Sequence, residues 1–285
     1  MDFNLSEEQE MIYQYGTNLA KDFDRKYWTD CAERREFPTA MYQKVADDGF
    51  VGLMVPEAYG GAGLGMTEMV LFQEGLSNQG IPLLSLVVGA TMSLGPIGEH
   101  GTEEQKQKYL PAGCRGDIRF CFAITEPTAG TNTMKTNTMI RETGDGRYKL
   151  NGAKTFITDA GGSDYMLVVS RNKSFDEVDR KTDGFTILIV DRKAPGVSVQ
   201  PIDVSIPIPE LQYQVFFDDV DIGPEDVLGE VGKGFDILFE SLNPERIILA
   251  AVANGLGRYA MERAVEYAND RVVFNGPIGA YQKTL

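Results

Sequence analysis

The sequence predicts an α+β multidomain protein: helical at its start, β-rich in its middle and helical again towards its end. Three observations carry this. Helix-period apolar spacing and two capping boxes mark the first part, short β-rich runs separated by Gly, Asp and Pro begin near residue 118, and helical spacing returns after Leu228. With 285 residues and 42% apolar side chains, there is room for two domains or one large one, and for a buried core. The expected division is a helical domain at 1–117, a β-domain at 118–228 and a helical segment at 229–285.

Composition narrows the partners. The net charge is −15 and there is no basic run, so nucleic acid and anionic membrane surfaces are poor partners. The three cysteines, Cys31, Cys114 and Cys121, have no metal or redox spacing, and no metal site is expected. An odd number of thiols behind a start, MDFNLSEEQE, that is neither secretory nor Arg-rich points to a reducing, cytoplasmic setting. The most apolar stretch, Ile81 to Ile97, contains Pro82, Gly89 and Pro96; it reads as a buried core helix and not as a membrane span.

In chain order, Ser6-Glu-Glu-Gln9 is a capping box, and helical segments follow to about residue 50, one of them opened by Pro38. Pro56 to Leu64 is a glycine-rich loop without dinucleotide or P-loop spacing, expected to be a tight connection between helices. Thr102-Glu-Glu-Gln105 is a second capping box, opening a short helix that Pro111 should stop. His100, the sole histidine, is expected to be structural. Seven β-runs follow at 118–125, 136–142, 147–158, 164–171, 184–191, 196–202 and 212–218, with Gly144-Asp-Gly146 as a hairpin turn. Short strands without intervening helices imply a small antiparallel barrel or sandwich. From Phe235 to Val273 only Pro244 and two glycines interrupt a helix. Gly255-Leu-Gly257-Arg-Tyr-Ala260 mimics a dinucleotide fingerprint, but no strand leads into it; its small residues suit close helix packing instead.

The chemistry concentrates in CFAITEPTAGTNTMKTNT, residues 121–138, and its companion KTFITDAGG, 154–162. Pro127 and Gly130 break an apolar strand, and Thr128, Thr131, Asn132 and Thr133 supply donors after the break, a pattern that can cradle a phosphate or a polar ring edge. Taken alone, the pattern is better read as an ordinary strand end with turn residues. The fuller strings Thr-Glu-Pro-x-x-Gly-Thr-Asn and Asn151-Gly-x-Lys-x-Phe-Ile-Thr158 closely resemble the flavin-binding strands of the acyl-CoA dehydrogenase family. So do P-E-x-Y-G-G-x-G at 56–63, G-T-E-E-Q-K-x-K-Y-L-P at 101–111 and R-x-x-F-x-x-P-I-x-x-Y-Q at 271–282, which spreads the resemblance over nearly the whole chain.

That resemblance implies a helical N-terminal domain, a middle β-domain and the start of a C-terminal helical bundle. The bundle's remaining helices and a glycine-rich flavin segment would lie beyond Leu285, so the sequence is expected to be a truncated member. It implies FAD as cofactor. Phe122, Ile124 and Thr125 would lie along the isoalloxazine, with Thr125 bonding its pyrimidine edge. Gly130 and Thr131 would meet the pyrophosphate, and Thr131 also the substrate's pantetheine. Phe156, in place of the common tryptophan, would lay a flat face against the ring beside Ile157, and Thr158 would donate towards N5. Arg271, Phe274 and Gln282 would reach a partner subunit's flavin.

Abstracting the proton alpha to a thioester requires a carboxylate in a dry pocket. The candidate is Glu245, followed by Arg246 and an apolar run. In the family the base comes either from this helix, as E-R-x-x-x-A, or from the C-terminal segment; glutamate before the arginine favours the helix. Asn243 to Arg246 would also line the pantetheine path. The implied activity is α,β-dehydrogenation of an acyl-CoA to a trans-2-enoyl-CoA in fatty acid metabolism. An electron-transferring flavoprotein would be the acceptor, and the full-length protein would be a homodimer or tetramer. The alternatives are a flavin-dependent enoyl-CoA reductase or acyl-CoA oxidase on the same fold, or a catalytically inactive fragment.

Overall fold

The computed structural model describes residues 4–281. Seven α-helices are present among them: α1 (Glu7–Asp22), α2 (Arg25–Arg34), α3 (Thr39–Asp47), α4 (Met66–Ser77), α5 (Gly95–His100), α6 (Glu103–Cys114) and α7 (Phe235–Asp270). By contacts the chain forms two compact units, one of Met1–Lys26, Thr67–Leu83 and Ile247–Leu285, the other of Tyr27–Met66 and Leu84–Arg246.

In the first unit, α1 starts on the expected capping box. The Ser6 hydroxyl accepts from the Gln9 amide at 3.2 Å, and the Gln9 side chain accepts from the Ser6 amide at 3.1 Å. The fingerprint-like glycines lie inside α7. A Cβ on Gly255 would sit 2.7 Å from the Glu74 carbonyl oxygen and from Ser77 Cβ, so this glycine does permit close approach of α4. Among the described residues nothing lies within 4 Å of a Cβ built on Gly257, so the close packing expected from the sequence is seen at Gly255 and not at Gly257.

In the second unit, Thr102 and Gln105 form the other capping box at the start of α6. That helix does not stop at Pro111 as expected but runs to Cys114. A proline forfeits one backbone bond, yet Leu110 and Cys114 on the last turn are buried, and that packing holds the helix together. The glycine-rich connection is as tight as its composition implied: a Cβ on Gly61 would lie 1.9 Å from the Val55 carbonyl oxygen. Ile81 to Ile97 is buried but is not one regular helix. Leu86–Leu94 is π-helical and passes directly into α5. Two hydroxyls support the wider turn, Thr91 donating to the Leu86 carbonyl at 3.2 Å and Ser93 to that of Val88 at 2.7 Å, each five residues back.

The sheet contains all seven expected strands and one more: β1 (Phe120–Ala123), β2 (Met139–Glu142), β3 (Tyr148–Thr158), β4 (Tyr165–Arg171), β5 (Phe185–Asp191), β6 (Val197–Ile202), β7 (Gln212–Ile222) and β8 (Val227–Leu228). Their order is β6-β7-β3-β2-β4-β5-β8, with β1 also on β4; the path is open, so no barrel closes. Where antiparallel pairing throughout was expected, β1 and β2 both run parallel to β4. The chain leaves one edge of β4 after Ala123 and returns to it at Met139, so residues 124–138 form an excursion between two anchors on one strand. Gly144 and Gly146 take left-handed φ values of 93° and 79° in the β2–β3 turn, as the hairpin signal required. Behind the sheet, Cys121, Ile140, Leu150, Ile157, Val168, Leu188 and Val215 form the core. Among the described residues no helix is long and apolar enough to cross a membrane, and no group of His, Cys, Asp or Glu could hold a metal ion.

Candidate active site

The excursion 124–138 is clamped to β3. The Thr155 amide donates to the Thr125 carbonyl at 2.8 Å, and the Lys154 ammonium to the Ile124 carbonyl at 3.0 Å. Lys154 also forms a fully buried ion pair with Glu126 at 2.8 Å. The Glu126 carboxylate in turn accepts the amides of Asn137 at 2.7 Å and Thr138 at 2.9 Å, so one side chain ties both ends of the excursion to the sheet. Burial pushes the Glu126 carboxyl up, but Lys154 and the hydrogen bonds outweigh it and hold it below the usual range. Burial also draws the lysine down, against the pull of the carboxylate. Neither residue was singled out from the sequence, although β-alternation from Leu150 places a lysine on the inward face at 154, a cue that it must be paired.

That alternation would also bury Phe156. Instead, Lys154 pairs with Val215 and Ile157 with Tyr213, three steps on β3 against two on β7, so one residue is extra. The bulge reverses the parity of the strand. Ile157 is buried in the core, while Phe156 stands 57% exposed with φ at 56°, a left-handed conformation unusual for an aromatic residue. A flat ring is thus held out beside the clamped excursion. Of the other ring-lining candidates, Ile124 and Thr125 are half-buried, and Gly130 and Thr131 are exposed, with open space where a Gly130 Cβ would be. The Phe122 and Ile157 side chains belong to the core, so these two can offer a ligand their backbones but not their side chains.

Thr158 is half-buried and engages Gln212. The Gln212 Nε2 donates to the Thr158 hydroxyl at 3.1 Å and to the Glu210 carbonyl at 3.4 Å, and the Thr158 hydroxyl also lies 3.2 Å from Gln212 Oε1. The Glu210 side chain is fully buried, with Oε1 accepting the Ser85 amide at 2.9 Å. Among the described residues, Glu210 Oε2 and the Ser85 hydroxyl have no hydrogen-bond partner. Burial pushes the Glu210 carboxyl up to about 8, helped by Asp159 and opposed by the Ser85 amide. Folding therefore takes up a proton at this site over the range from the ordinary 4.5 to about 8. Its contribution to stability is fully present below pH 4.5 and is lost as the pH rises through 8. At about 1.4 kcal/mol per unit, the loss is roughly 4–5 kcal/mol. Glu210→Gln should remove it. Denaturant titrations from pH 5 to 9 should show a flatter stability profile for the variant, and equal slopes for the two proteins would refute the assignment.

Glu245 lies on α7, half-buried. Burial raises its pKa and Arg246 opposes the rise. Arg246 is exposed and donates to the Asn243 side chain at 2.7 Å, which ties its guanidinium to its own helix. Next to Glu245, Pro244 lines a cavity of about 140 Å³ together with Thr91, Leu94, Met54 and Glu240. Pro244 has no amide to give the Glu240 carbonyl one turn back, so the helix is locally unbonded where it borders this cavity. His100, expected to be structural, hydrogen-bonds the Glu240 carboxylate and thereby joins α5 to α7.

Arg271 and Phe274 belong to the other compact unit. Arg271 directly follows α7, and its carbonyl accepts the Ile278 amide at 2.9 Å. Between them lies a two-residue ladder of Val272–Val273 with Gly276–Pro277. Phe274 is 89% exposed, again with a left-handed φ of 56°. Gln282 lies outside the described residues.

Three family descriptions match the chain: the acyl-CoA dehydrogenase N-terminal domain over residues 6–117, its middle domain over 121–220 and its C-terminal domain over 232–284. The acyl-CoA dehydrogenase FadE12 of Mycobacterium tuberculosis is 36% identical over 97% of this chain and 70% of its own length. A 3-(aryl)acrylate reductase of Clostridium sporogenes is 35% identical over 97% of this chain and 73% of its own length. Among solved structures, butyryl-CoA dehydrogenase from Megasphaera elsdenii superposes with a TM-score of 0.90 at 30% identity, covering 99% of this chain and 74% of that one.

Proposed function

The chain belongs to the acyl-CoA dehydrogenase family of oxidoreductases, and from that premise we propose that it binds FAD and dehydrogenates an acyl-CoA thioester to a trans-2-enoyl-CoA. The carrying observation is the paired scaffold: an excursion and a strand locked by a buried ion pair, with an exposed aromatic ring at Phe156, one residue beyond the strand's backbone bond to Thr125 and two before Thr158. Its residues suit a flavin. Phe156 offers a ring face, Thr125 and Thr158 offer hydroxyls beside it, and Gly130 and Thr131 offer an open, donor-bearing turn for a diphosphate. Ile124 offers its side chain, and Phe122 and Ile157 their backbones. Arg271, Phe274 and Gln282 are the residues we assign to the flavin of a partner subunit in a homo-oligomer.

Bound there, the flavin would supply the acceptor for the hydride leaving the β-carbon. The chain's own part is acid–base and positional. Glu245 would take the α-proton, its basicity raised by partial burial, with the cavity beside Pro244 excluding water from the acyl group. Asn243, Arg246 and Thr131 would border the pantetheine. We further propose three domains, at 1–117, 118–228 and 229–285, a reducing cytoplasmic setting suited to three free buried thiols, and an electron-transferring flavoprotein as acceptor.

The test is to purify the protein, record its visible spectrum and add saturated acyl-CoAs without oxygen. A flavin band that bleaches supports the proposal, and a folded, colourless protein overturns it. A second reading, reduction of an enoyl-CoA by the same residues, draws on the similarity to a 3-(aryl)acrylate reductase. It would be favoured by a flavin band that saturated acyl-CoAs leave intact and that, once reduced, enoyl-CoAs restore.

A further inference from the structure

Gln212 is the residue whose role none of this explains. Its amide reaches the Thr158 hydroxyl with both ends, Nε2 at 3.1 Å and Oε1 at 3.2 Å. The Glu210 carbonyl, 3.4 Å from Nε2, fixes which end is which, because the reversed amide would set two carbonyl oxygens against each other. Asp159, next to Thr158, donates its amide to the Leu211 carbonyl at 2.8 Å, and Thr158 pairs with Gln212 across β3 and β7. The amide and the hydroxyl are therefore held in register by the backbone on both sides.

A hydroxyl has one hydrogen to donate. When it donates to Gln212 Oε1, none remains for anything else. When it accepts from Gln212 Nε2, its hydrogen is turned away from Gln212 and is available to another acceptor. One amide thus offers the Thr158 hydroxyl two settings, donor held inward and donor presented outward. We propose that Gln212 is a positioning residue that directs the Thr158 hydroxyl hydrogen outward to the flavin, by supplying the donor that the hydroxyl oxygen accepts. This rests on the flavin reading of Thr158 given above.

The isosteric change Gln212→Glu makes the test. A carboxylate only accepts, so it would keep the hydroxyl hydrogen turned inward and remove the outward donor. Thr158→Val removes the hydroxyl itself. The readouts are the reduction potential of bound FAD and its dissociation constant, each measured for wild type, both single variants and the double variant. Stabilisation of the reduced ring by the hydroxyl should fall in Gln212→Glu about as far as in Thr158→Val, by roughly tenfold or more in the reduction equilibrium, about 30 mV for a two-electron couple. In the Thr158→Val background, Gln212→Glu should then add little. A shift of equal size in both backgrounds would mean that the new charge acts on the flavin directly, and no shift would mean that Gln212 merely fills space. Either result overturns the proposal. Gln212→Leu repeats the cycle without a charge: it should give a smaller shift that likewise vanishes with Thr158→Val, and persistence there overturns the proposal even if the glutamate variant fails to fold. A wild-type protein that takes up no flavin overturns the flavin reading and this inference together, whereas bound flavin with additive variants overturns the inference alone.

Discussion

Glu245→Gln is expected to abolish the bleaching of bound flavin by a saturated acyl-CoA while leaving the flavin band in place. Glutamine matches the carboxylate in size and keeps hydrogen-bonding capacity, so the packing of α7 around Pro244 and the neighbouring cavity should survive. What is lost is the ability to accept a proton, and removal of a general base slows proton abstraction by about 10²–10⁴-fold. Stopped-flow reduction under anaerobic conditions measures this directly. Because burial lifts the Glu245 pKa and Arg246 only partly offsets the rise, the wild-type reduction rate should fall as the pH drops through that raised value, and the glutamine variant should lose this limb. A variant that still bleaches at the wild-type rate would place the base elsewhere.

The second large effect is expected at Lys154. Its ammonium and the Glu126 carboxylate are both buried, and removing one partner of such a pair leaves a charge with nothing to compensate it. Lys154→Met should destabilise the fold by about 3–5 kcal/mol. Adding Glu126→Gln removes the unpaired charge and should recover part of that loss, the remainder persisting because the single amide oxygen can accept from only one of the Asn137 and Thr138 amides. Breaking the pair should also loosen the excursion, since Glu126 holds the amides of Asn137 and Thr138. Hydrogen exchange at these two amides should accelerate in the single variant well before core amides such as those of β4 and β5 respond. Equal stability of wild type and Lys154→Met, or unchanged exchange at the Asn137 and Thr138 amides, would show that the pair is not what clamps this segment.

The order of elements was legible because it depends on local patterns. Both capping boxes, the Pro38 helix start, the β2–β3 turn and all seven expected strands follow from spacings of two to four residues. Departures arise where tertiary packing or side-chain bonds to the backbone overrule local propensity. Pro111 does not end α6, because the turn beyond it is buried. Ile81 to Ile97 contains a π-helix, because Thr91 and Ser93 reach carbonyls five residues back. The sheet is open and partly parallel, because β1 and β2 share one edge of β4.

For the site, the sequence by itself determined the family, the two segments that carry its motifs, and the residues to watch at 125, 131, 156, 158 and 245. Residue types and short spacings suffice for that. Only the tertiary structure decided that Phe156 faces outward and Ile157 inward, that Lys154 and Glu126 lock the excursion, and that Gln212 and Glu210 stand behind Thr158. A one-residue bulge reverses every side chain after it, and partners 28 and 54 residues apart meet only when strands pair. No local pattern encodes the register of β3 against β7, which is set by the core both strands share.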